Sequence, residues 1–291
     1  MNKDEEKVII RLVRDDAEEF ILGTGGDWRI PSNGLSGFGS LDNSIIMNSN
    51  AFGDGAQFNG ERLDARDRTV KAKVKNTSMN VKQRRKAIEF FKFKHSYKVY
   101  VTYMGLTRWY NAILSRVQIS EGNIYKPVEI QFTTMSENPY YKSFDDFGKD
   151  IAQIVPMSGF PYMVTEQGRA VSVYNYDTKS VYIENNGDVD TYCKAVFKAK
   201  GEVVNPSLLV NGKFVKMLVT LKEDDVLIMD FTSSKPKITL NDENVIGLTD
   251  VYSDLTEMQL VVGTNTIGYE AEFGDNVVEV SIYYNKLYVL I

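Results

Sequence analysis

Apolar and polar residues alternate along many short stretches of this chain, and this period of two sets the main limit on its fold. In residues 69–75, Val70, Ala72 and Val74 take one face of a strand and three lysines take the other. Such alternation is typical of a strand with one buried face. Three further segments alternate in the same way: 97–103, 128–133 and 195–200. Aromatic residues, which strands favour, make up 12% of the 291 residues. The pattern predicts a mainly β protein.

One segment interrupts the strand pattern with a helical one. Within 79–94, Ala87, Phe90 and Phe91 lie three or four residues apart and would share a face, as would Ile88 and Phe91. Charged residues, most of them basic, occupy the other side. The spacing predicts one amphipathic helix over 79–94 that packs its aromatic side against a sheet.

The segment 23–60 differs in composition from the rest of the chain. It holds nine of the 21 glycines, together with clusters of serine and asparagine, and few apolar residues. A long stretch without regular structure is unusual inside a compact domain and is often functional. The segment predicts a protruding arm, in the form of a hairpin or belt with short strands of its own. Because an isolated two-stranded hairpin is marginal in water, such an arm needs a neighbouring surface.

The second half of the chain is predicted to form a β-sandwich. Asn211-Gly212 separates two apolar stretches, which is a strong signal for a β-hairpin. Other short strands follow at spacings of roughly 8–12 residues with turns between them, as in sandwich folds. Prolines and turn residues mark a boundary after the strand near 130. The chain is therefore expected to form two domains, 1–145 and 146–291.

The supply of reactive side chains excludes several classes of site. There is one cysteine, Cys193, and one histidine, His95. Structural zinc sites use four Cys or His ligands, and catalytic ones use three protein ligands rich in histidine. His95 and Cys193 fall in different predicted domains, which argues against a catalytic pair. Adjacent acidic pairs fit solvated turns, and the glycine-rich loops complete no phosphate-binding motif. The sequence predicts no catalytic, cofactor or metal site, and no enzyme.

Charge is unevenly distributed along the chain. The 34 Lys and Arg residues against 39 Asp and Glu give a net charge of −5, which offers no general reason to expect a nucleic-acid partner. Ten cationic residues nevertheless fall within 62–86. Three interpretations stay open: contact with nucleic acid, a face that meets water or an acidic partner, and a surface towards a pore or a neighbouring subunit.

The N-terminal residues do not have the pattern of a secretory signal. Residues 1–7 are charged and no long apolar core follows them. No apolar run approaches the ~18–20 residues that a membrane span requires. We expect a protein that is made in the cytoplasm, is not exported by the ordinary secretory route and does not insert into membranes.

Taken in order, these features resemble the siphophage distal tail proteins. A charged first strand, a glycine-rich arm, the sequence FNGER at 58–62 and arginine-rich strands precede the helix. In the second half the resemblance is carried by turn and strand residues: Ile183, Asn185, Gly187, Asp188, Gly201, Asn205, Pro206, 227–230, Leu240, Asn241, Gly263, Asn265, Ile267, Tyr269 and 280–284. The chain departs from the family pattern at 192–194, where a proline is usual, and at 224–225, where a glycine is usual.

The resemblance implies a structural virion protein at the distal end of a non-contractile tail. The N-terminal domain would form a ring, hexameric in the family, that continues the tail tube, and a galectin-like C-terminal sandwich would anchor adsorption proteins. Its partners would be copies of itself, the major tail protein and the tail-tip or receptor-binding proteins, with DNA at most in transit through the lumen. The protein would assemble in the host cytoplasm and be located at the tail tip of the virion.

Two groups of residues follow as candidates. The arm and the basic cluster supply candidates for the oligomer interface: Phe38, Ile45, Ile46, Met47, Phe52, Phe58, Arg62, Arg84 and Arg85. Positions suited to tight turns supply candidates that determine the fold, because Asn-Gly and Gly-Asp pairs tolerate positive φ: Asn185, Gly187, Asp188, Asn211, Gly212, Gly263 and Asn265.

Two other functions remain open on the sequence alone. The sandwich could bind carbohydrate through exposed aromatic side chains at Tyr174, Tyr176 and Tyr182, and so take part in recognition of the host surface. The chain could also be a tail-associated hydrolase that uses carboxylates, because the single histidine argues only against enzymes that need histidine.

Overall fold

The computed structural model divides the chain into two units. It describes residues 8–50, 53–121, 125–143, 147–152, 154–156, 172–174, 180–233 and 235–291, and for the segments between 147 and 174 it describes the backbone. The first unit comprises Met1–Phe144 with Tyr288–Ile291, and the second comprises Asp145–Leu287. The division lies one residue from the expected 145/146, and the last four residues, expected in the second domain, belong to the first unit.

The first unit is built from strands β1 to β11 and one helix. A single 3-10 turn, Thr77–Met79, leads into helix α1, Asn80–Phe90. The strands are β1 Ile9–Arg14, β2 Glu19–Gly23, β3 Trp28–Arg29, β4 Leu35–Ser36, β5 Asn43–Ser49, β6 Ala56–Leu63, β7 Arg66–Val74, β8 Ser96–Tyr103, β9 Leu106–Ile119, β10 Glu129–Ser136 and β11 Tyr141–Ser143.

Seven of these strands close into a barrel. Their order is β10-β7-β3-β2-β1-β8-β9, and β9 pairs again with β10. The closing pair is antiparallel and shifts register between Thr133 and Thr134. The predicted alternation is confirmed in β7, where Val70, Ala72 and Val74 are buried. Strand β4 lies beside β7, and β11 continues the sheet from β9.

Helix α1 packs its buried side on the barrel through aromatic contacts. The ring of Phe90 lies 5.1 Å from that of Phe20, and the ring of Phe91 lies 4.8 Å from that of Phe132. The helix ends at Phe90 and not at 94, because Phe91 leaves the helical region with ψ 88°. Arg14 caps this end with hydrogen bonds from its guanidinium to the carbonyl oxygens of Glu89 and Phe90, at 3.0 and 2.7 Å. A cation there also complements the helix dipole.

The second unit is a sandwich of two main antiparallel sheets, as predicted. One sheet has the order β12-β26-β16-β21-β22-β23 with β24 added beside β16, and the other has the order β15-β25-β18-β19. The elements are β12 Phe147–Ala152, β13 Ile154–Pro156, β14 Ser172–Tyr174, β15 Ser180–Asn185, β16 Thr191–Ala199, β17 Val203–Val204, β18 Ser207–Val210, β19 Lys213–Lys216, β20 Thr220–Leu221, β21 Val226–Asp230, β22 Lys237–Leu240, β23 Glu243–Asn244, β24 Gln259–Leu260, β25 Gly263–Glu270 and β26 Val278–Tyr284, with 3-10 turns at Ile246–Leu248 and Asp275–Val277. The last strand, β27 Leu287–Tyr288, pairs with β11 in the sheet of the first unit.

The core of the sandwich follows from alternation in its central strand. In β16, Cys193, Ala195 and Phe197 point inwards and are fully buried. They meet inward residues of the facing sheet such as Leu208 and Ile267 in one apolar cluster. The fold is therefore mainly β with one helix, as the sequence predicts. Among the described residues, no helix is long and apolar enough to cross a membrane.

We expect the last four residues to stabilise the first unit. The carbonyl of Val289 accepts a hydrogen bond from Arg66 at 2.9 Å, and the ring of Tyr288 lies 3.8 Å from the Arg108 guanidinium carbon. Deleting 288–291 removes both contacts, and the barrel should lose about 2–4 kcal/mol of unfolding free energy.

Tryptophan fluorescence measures this effect, because Trp28 and Trp109 are the two tryptophans of the chain and both lie in the first unit. Leu290→Ala is the matched control, since it keeps the backbone that these contacts use. An unchanged unfolding midpoint in the deletion variant would show that the contacts contribute nothing.

Candidate functional site

The most exposed apolar surface of the arm is the hairpin formed by β5 and β6. Among the described residues these two strands pair only with each other, and Met47 lies directly opposite Phe58. Ile45 and Met47 are two residues apart in β5, so they share a face with Phe58, whereas Ile46 lies opposite Gly60 on the other face. All four apolar side chains are between 49% and 57% exposed. Phe52, another candidate, lies outside the described residues.

The first part of the predicted arm belongs to the barrel and corrects the expected span of 23–60. Strands β3 and β4 pair with β7, and Phe38 is 5% exposed in the barrel core. Phe38 is therefore a core residue and not a surface for another subunit. At Gly37, with φ +80°, a Cβ atom would lie 2.2 Å from the carbonyl oxygen of Asp67. Here glycine serves a close approach of two backbones, which sequence composition alone does not distinguish from a loop.

Helix α1 buries the side with Ala87, Phe90 and Phe91, as the spacing predicts, with one exception. Its buried residues are Asn80, Gln83, Ala87 and Phe90, so Ile88 lies on the exposed side, 49% exposed. The polar residues can be buried because they are hydrogen-bonded. Gln83 accepts a hydrogen bond from the Trp28 indole at 3.2 Å and donates one to Asp27 at 2.6 Å. Asn80 donates to the carbonyl of Lys126 at 2.8 Å.

The exposed side of the helix combines apolar and basic residues. Val81 is 77% exposed, and Arg84, Arg85 and Ile88 follow it at helical spacing along one stripe. Arg85 makes an exposed ion pair with Glu89 at 3.7 Å. Arg62, the remaining basic candidate, lies on the hairpin, where it pairs with Asp64 at 3.4 Å.

The basic cluster does not form one charged face, because Arg66 and Arg68 point into the barrel. They have the same parity in β7 as Val70, and both are buried. The Arg68 guanidinium lies between the rings of Tyr110 and Tyr141, 3.9 and 4.5 Å from their centres, and donates to the carbonyl of Pro139 at 2.9 Å. The alternation that places Val70 inside could have identified them.

Arg66 ties together distant parts of the first unit. Its guanidinium donates hydrogen bonds to the carbonyl oxygens of Gly37, Phe38 and Val289 at 2.7–2.9 Å, and to that of Pro139 at 3.3 Å. A planar guanidinium with five donors suits several carbonyls at once. Arg66 and Arg68 therefore have structural roles and are not available to a nucleic acid.

The candidate turn residues of the sandwich form hydrogen-bonded supports. Asn211 and Gly212 have φ of 50° and 80° in the turn between β18 and β19. Asn265 is buried inside β25, where its amide donates to the carbonyls of Val261 and Gly263 and its oxygen accepts from Asn211 at 2.7 Å. Gly263, with φ +99°, starts the strand.

Asn185 supports the turn that follows β15. Its amide donates to the carbonyls of Val189 and Leu260, at 3.1 and 3.0 Å, and its oxygen accepts from the backbone of Gly187 at 3.0 Å. Gly187 does not have the expected positive φ. It is required because a Cβ atom would lie 2.7 Å from the carbonyl oxygen of Leu287. The backbone of Asp188 donates to that same oxygen.

The reactive residues are engaged elsewhere or buried. His95 lies 2.7 Å from Asp15 through Nδ1, and Cys193 belongs to the other unit, in the sandwich core. Burial raises the pKa of the Cys193 thiol to about 12. Asp16 and Glu18, from two of the acidic pairs, bind Arg14. Within the part of the chain that the structure describes, no group of three or more His, Cys, Asp or Glu residues is placed to hold a metal ion.

The structure describes only some of the aromatic residues proposed for sugar binding. Tyr182 is exposed on β15. The side chain of Tyr174 and the whole of Tyr176 lie outside the described parts of the chain. Carbohydrate binding stays a prediction.

We expect Asn185→Asp to destabilise the sandwich. A carboxylate cannot donate to the carbonyls of Val189 and Leu260, so two buried acceptors would face a negative charge, at a cost of about 2–4 kcal/mol. Asn186→Asp is the matched control, since the neighbouring side chain is exposed. Chemical unfolding followed by far-UV circular dichroism should show the loss in the first variant. Equal stability of the two variants would contradict this role.

The thiol of Cys193 should be unreactive in the native protein. An ordinary thiol has a pKa of about 8.5, so the raised value leaves almost no thiolate at pH 8. A chromogenic thiol reagent should label the native chain at least a hundredfold more slowly than the urea-unfolded chain. Since the folded pKa is raised, this group's contribution to stability is complete below the unfolded pKa and is lost as the pH rises towards 12. Rapid labelling of the native chain at pH 8 would show that the core is open.

Comparison with known proteins bears on both units. Residues 186–288 match the sequence model of a family described as siphovirus-type tail component, C-terminal domain. No curated protein matches the chain in sequence.

Solved structures of phage proteins share the fold over nearly the entire length. The structure described as SPP1 Dit (gp 19.1), a paradigm of hub adsorption apparatus in phages that infect Gram-positive bacteria, aligns with a TM-score of 0.60 and 14% identity, over 96% of this chain and 98% of that one. A chain of the phage P2 baseplate in its activated conformation with Ca aligns with a TM-score of 0.53 and 11% identity, over 98% of this chain and 99% of that one. The corresponding structure with Sr gives 0.54 and 11% over the same shares.

The family match covers most of the sandwich, and the fold likeness extends to the barrel, the arm and the helix. The resemblance to the siphophage distal tail proteins is thus confirmed, in sequence over residues 186–288 and in fold over almost the whole chain.

Proposed function

We propose that this chain is a structural protein at the distal end of a siphophage tail, where its first units assemble into a ring between the tail tube and the tip. The likeness to hub and baseplate proteins supports a structural role in the tail. The observation that carries the proposal is the exposed apolar hairpin β5–β6. In the part of the chain that the structure describes, it pairs with no other strand and leaves Ile45, Met47 and Phe58 exposed on one face.

The physical argument is that such a hairpin needs a neighbour. Two strands without a sheet or helix on one face are at best marginally stable in water. Monomeric proteins rarely expose contiguous apolar side chains without a binding role. Copies of the same chain that supply the cover would close into a ring if each contact repeats by a fixed rotation. A hexamer, as in the family, is the expected number of copies.

The remaining parts of the proposal concern partners and location. The sandwich would lie outside the ring and anchor adsorption proteins, and the ring would meet the major tail protein, with DNA at most in transit through its lumen. The protein would assemble in the host cytoplasm and remain at the tail tip of the virion. The chain would act as a structural protein and not as an enzyme.

The test replaces the apolar face of the hairpin. Wild-type protein should form rings, seen as a defined mass by light scattering and as rings in negative-stain images. The triple variant Ile45→Ser, Met47→Ser and Phe58→Ser should remain monomeric at the same concentration. The protein concentration at which half of the chains are assembled should rise at least tenfold, because buried apolar anchors dominate interface energy.

A matched control removes two large exposed side chains from the sandwich, both more exposed than those of the hairpin. Val251→Ser with Tyr252→Ser changes residues that are 86% and 78% exposed and should leave assembly intact. Unchanged tryptophan fluorescence in the triple variant verifies that the barrel is folded. Wild-type protein that stays monomeric, or a triple variant that still forms rings, would refute the proposal.

A further inference from the structure

Two surfaces of the first unit lack cover and complement each other. The hairpin face consists of Ile45, Met47, Phe58 and Glu61. Glu61 lies directly opposite Ile45 in the pairing of β5 and β6, so its carboxylate is on the same face as the apolar cluster. The face is thus apolar with an acidic end, and that carboxylate accepts a hydrogen bond from Asn43 at 2.8 Å.

The helix face consists of Val81, Arg84, Arg85 and Ile88. Apolar residues lie at its two ends and the arginines lie between them, all exposed. Segment 80–94 carries six cationic residues against one acidic residue, and segment 42–64 carries four acidic residues against one cationic residue. The charges of the two elements are opposite.

The dimensions also agree. Val81 and Arg85 are four residues apart, which is about 6 Å along a helix. Phe58 and Glu61 lie opposite Met47 and Ile45, which are two residues apart on β5, so they are about 7 Å apart along the hairpin. A helix laid on the hairpin face could therefore bring an arginine to Glu61 while its apolar residues cover Met47 and Phe58.

We infer that the hairpin face of one copy binds the helix face of the next copy. This inference rests on the proposed ring and adds the pair of surfaces that forms each contact. Both faces belong to the same unit and both are uncovered in the single chain, so a second copy is the occupant that can satisfy them together. Because the two faces differ, each copy offers one and receives the other, and the contact continues from copy to copy.

The acidic second unit is the main competitor for the helix face. It carries 22 acidic residues against 12 cationic ones, whereas the first unit carries 17 against 22. Charge alone would let a neighbouring sandwich approach the arginines. The hairpin is favoured because Val81 and Ile88 need apolar cover, which Met47 and Phe58 supply.

The test uses two variants that each lose one face. The hairpin variant carries Ile45→Ser, Met47→Ser and Phe58→Ser, and the helix variant carries Arg84→Glu and Arg85→Glu. Each alone should be monomeric under conditions where the wild type forms rings. Mixed in equal amounts, they retain one intact contact, between the hairpin of the helix variant and the helix of the hairpin variant. Native mass spectrometry should then show a one-to-one dimer and nothing larger.

A charge exchange gives a second readout. Adding Glu61→Arg to the helix variant restores opposite charges on the two faces. The association constant should then be at least tenfold higher than that of the helix variant alone. Lys235→Glu with Lys237→Glu is the matched control, because it makes the same change in net charge at exposed positions of the sandwich and should not affect the rings.

The outcomes separate this inference from the proposed function. A wild-type chain that stays monomeric overturns both. Wild-type rings that persist in both variants overturn the hairpin-to-helix contact and leave the ring standing. Loss of rings in the helix variant alone assigns the arginines to another partner surface, such as the sandwich, and also overturns this inference.

Discussion

The pairing of β9 with β10 is the constraint on which the first unit depends, because it closes seven strands into a barrel. Each of these strands then has a neighbour on both sides. A partner cannot insert a strand between these seven without opening the barrel, which is how closed barrels protect their strands from association. Self-association through this unit must therefore use elements that stand outside the barrel. The hairpin β5–β6 and helix α1 are elements of this kind, and both carry exposed apolar side chains.

Two buried arginines of β7 hold the segments by which the chain leaves the first unit and returns to it. Arg66 and Arg68 both bind the carbonyl of Pro139 on the outgoing segment, and Arg66 also binds that of Val289 on the returning one. Burying a cation is costly unless its donors are satisfied. Arg68 lies against the rings of Tyr110 and Tyr141 and donates to the Tyr141 hydroxyl and the Pro139 carbonyl, at 3.0 and 2.9 Å, while its buried Nη1 has no hydrogen-bond partner among the described residues. In sequence, the second unit is an insertion between β11 and the last four residues, and Arg66 holds the chain on both sides of it.

Several parts of this structure follow from local sequence and others do not. Alternation predicts the faces of β7 and β16, and Asn211-Gly212 predicts its hairpin, since each depends on neighbours in sequence. The burial of Gln83 in helix α1 is not predicted, because its partners Trp28 and Asp27 lie 55 and 56 residues away in sequence. Phe38 is assigned to a surface because glycines surround it, whereas Gly37 beside it is required by a close backbone contact with Asp67. The hairpin face was predicted from residues that the structure leaves exposed. Of the exposed helix residues, Arg84 and Arg85 were predicted as interface candidates, whereas Ile88 was placed on the buried side.

The charges on the two faces also restrict the symmetry of any assembly. If two helix faces met in a two-fold dimer, four arginines from positions 84 and 85 would be brought together while the interface excludes water. If two hairpin faces met, the carboxylates of Glu61 would face each other. Juxtaposed like charges cost several kcal/mol at an interface, so both symmetric arrangements are disfavoured. The pairing of unlike faces places each arginine pair near a carboxylate and still covers the apolar residues. Such a contact cannot end after two copies, since each copy keeps one free face until the last meets the first. The charges on these side chains therefore favour a head-to-tail contact between unlike faces over a two-fold dimer, as the proposed ring requires.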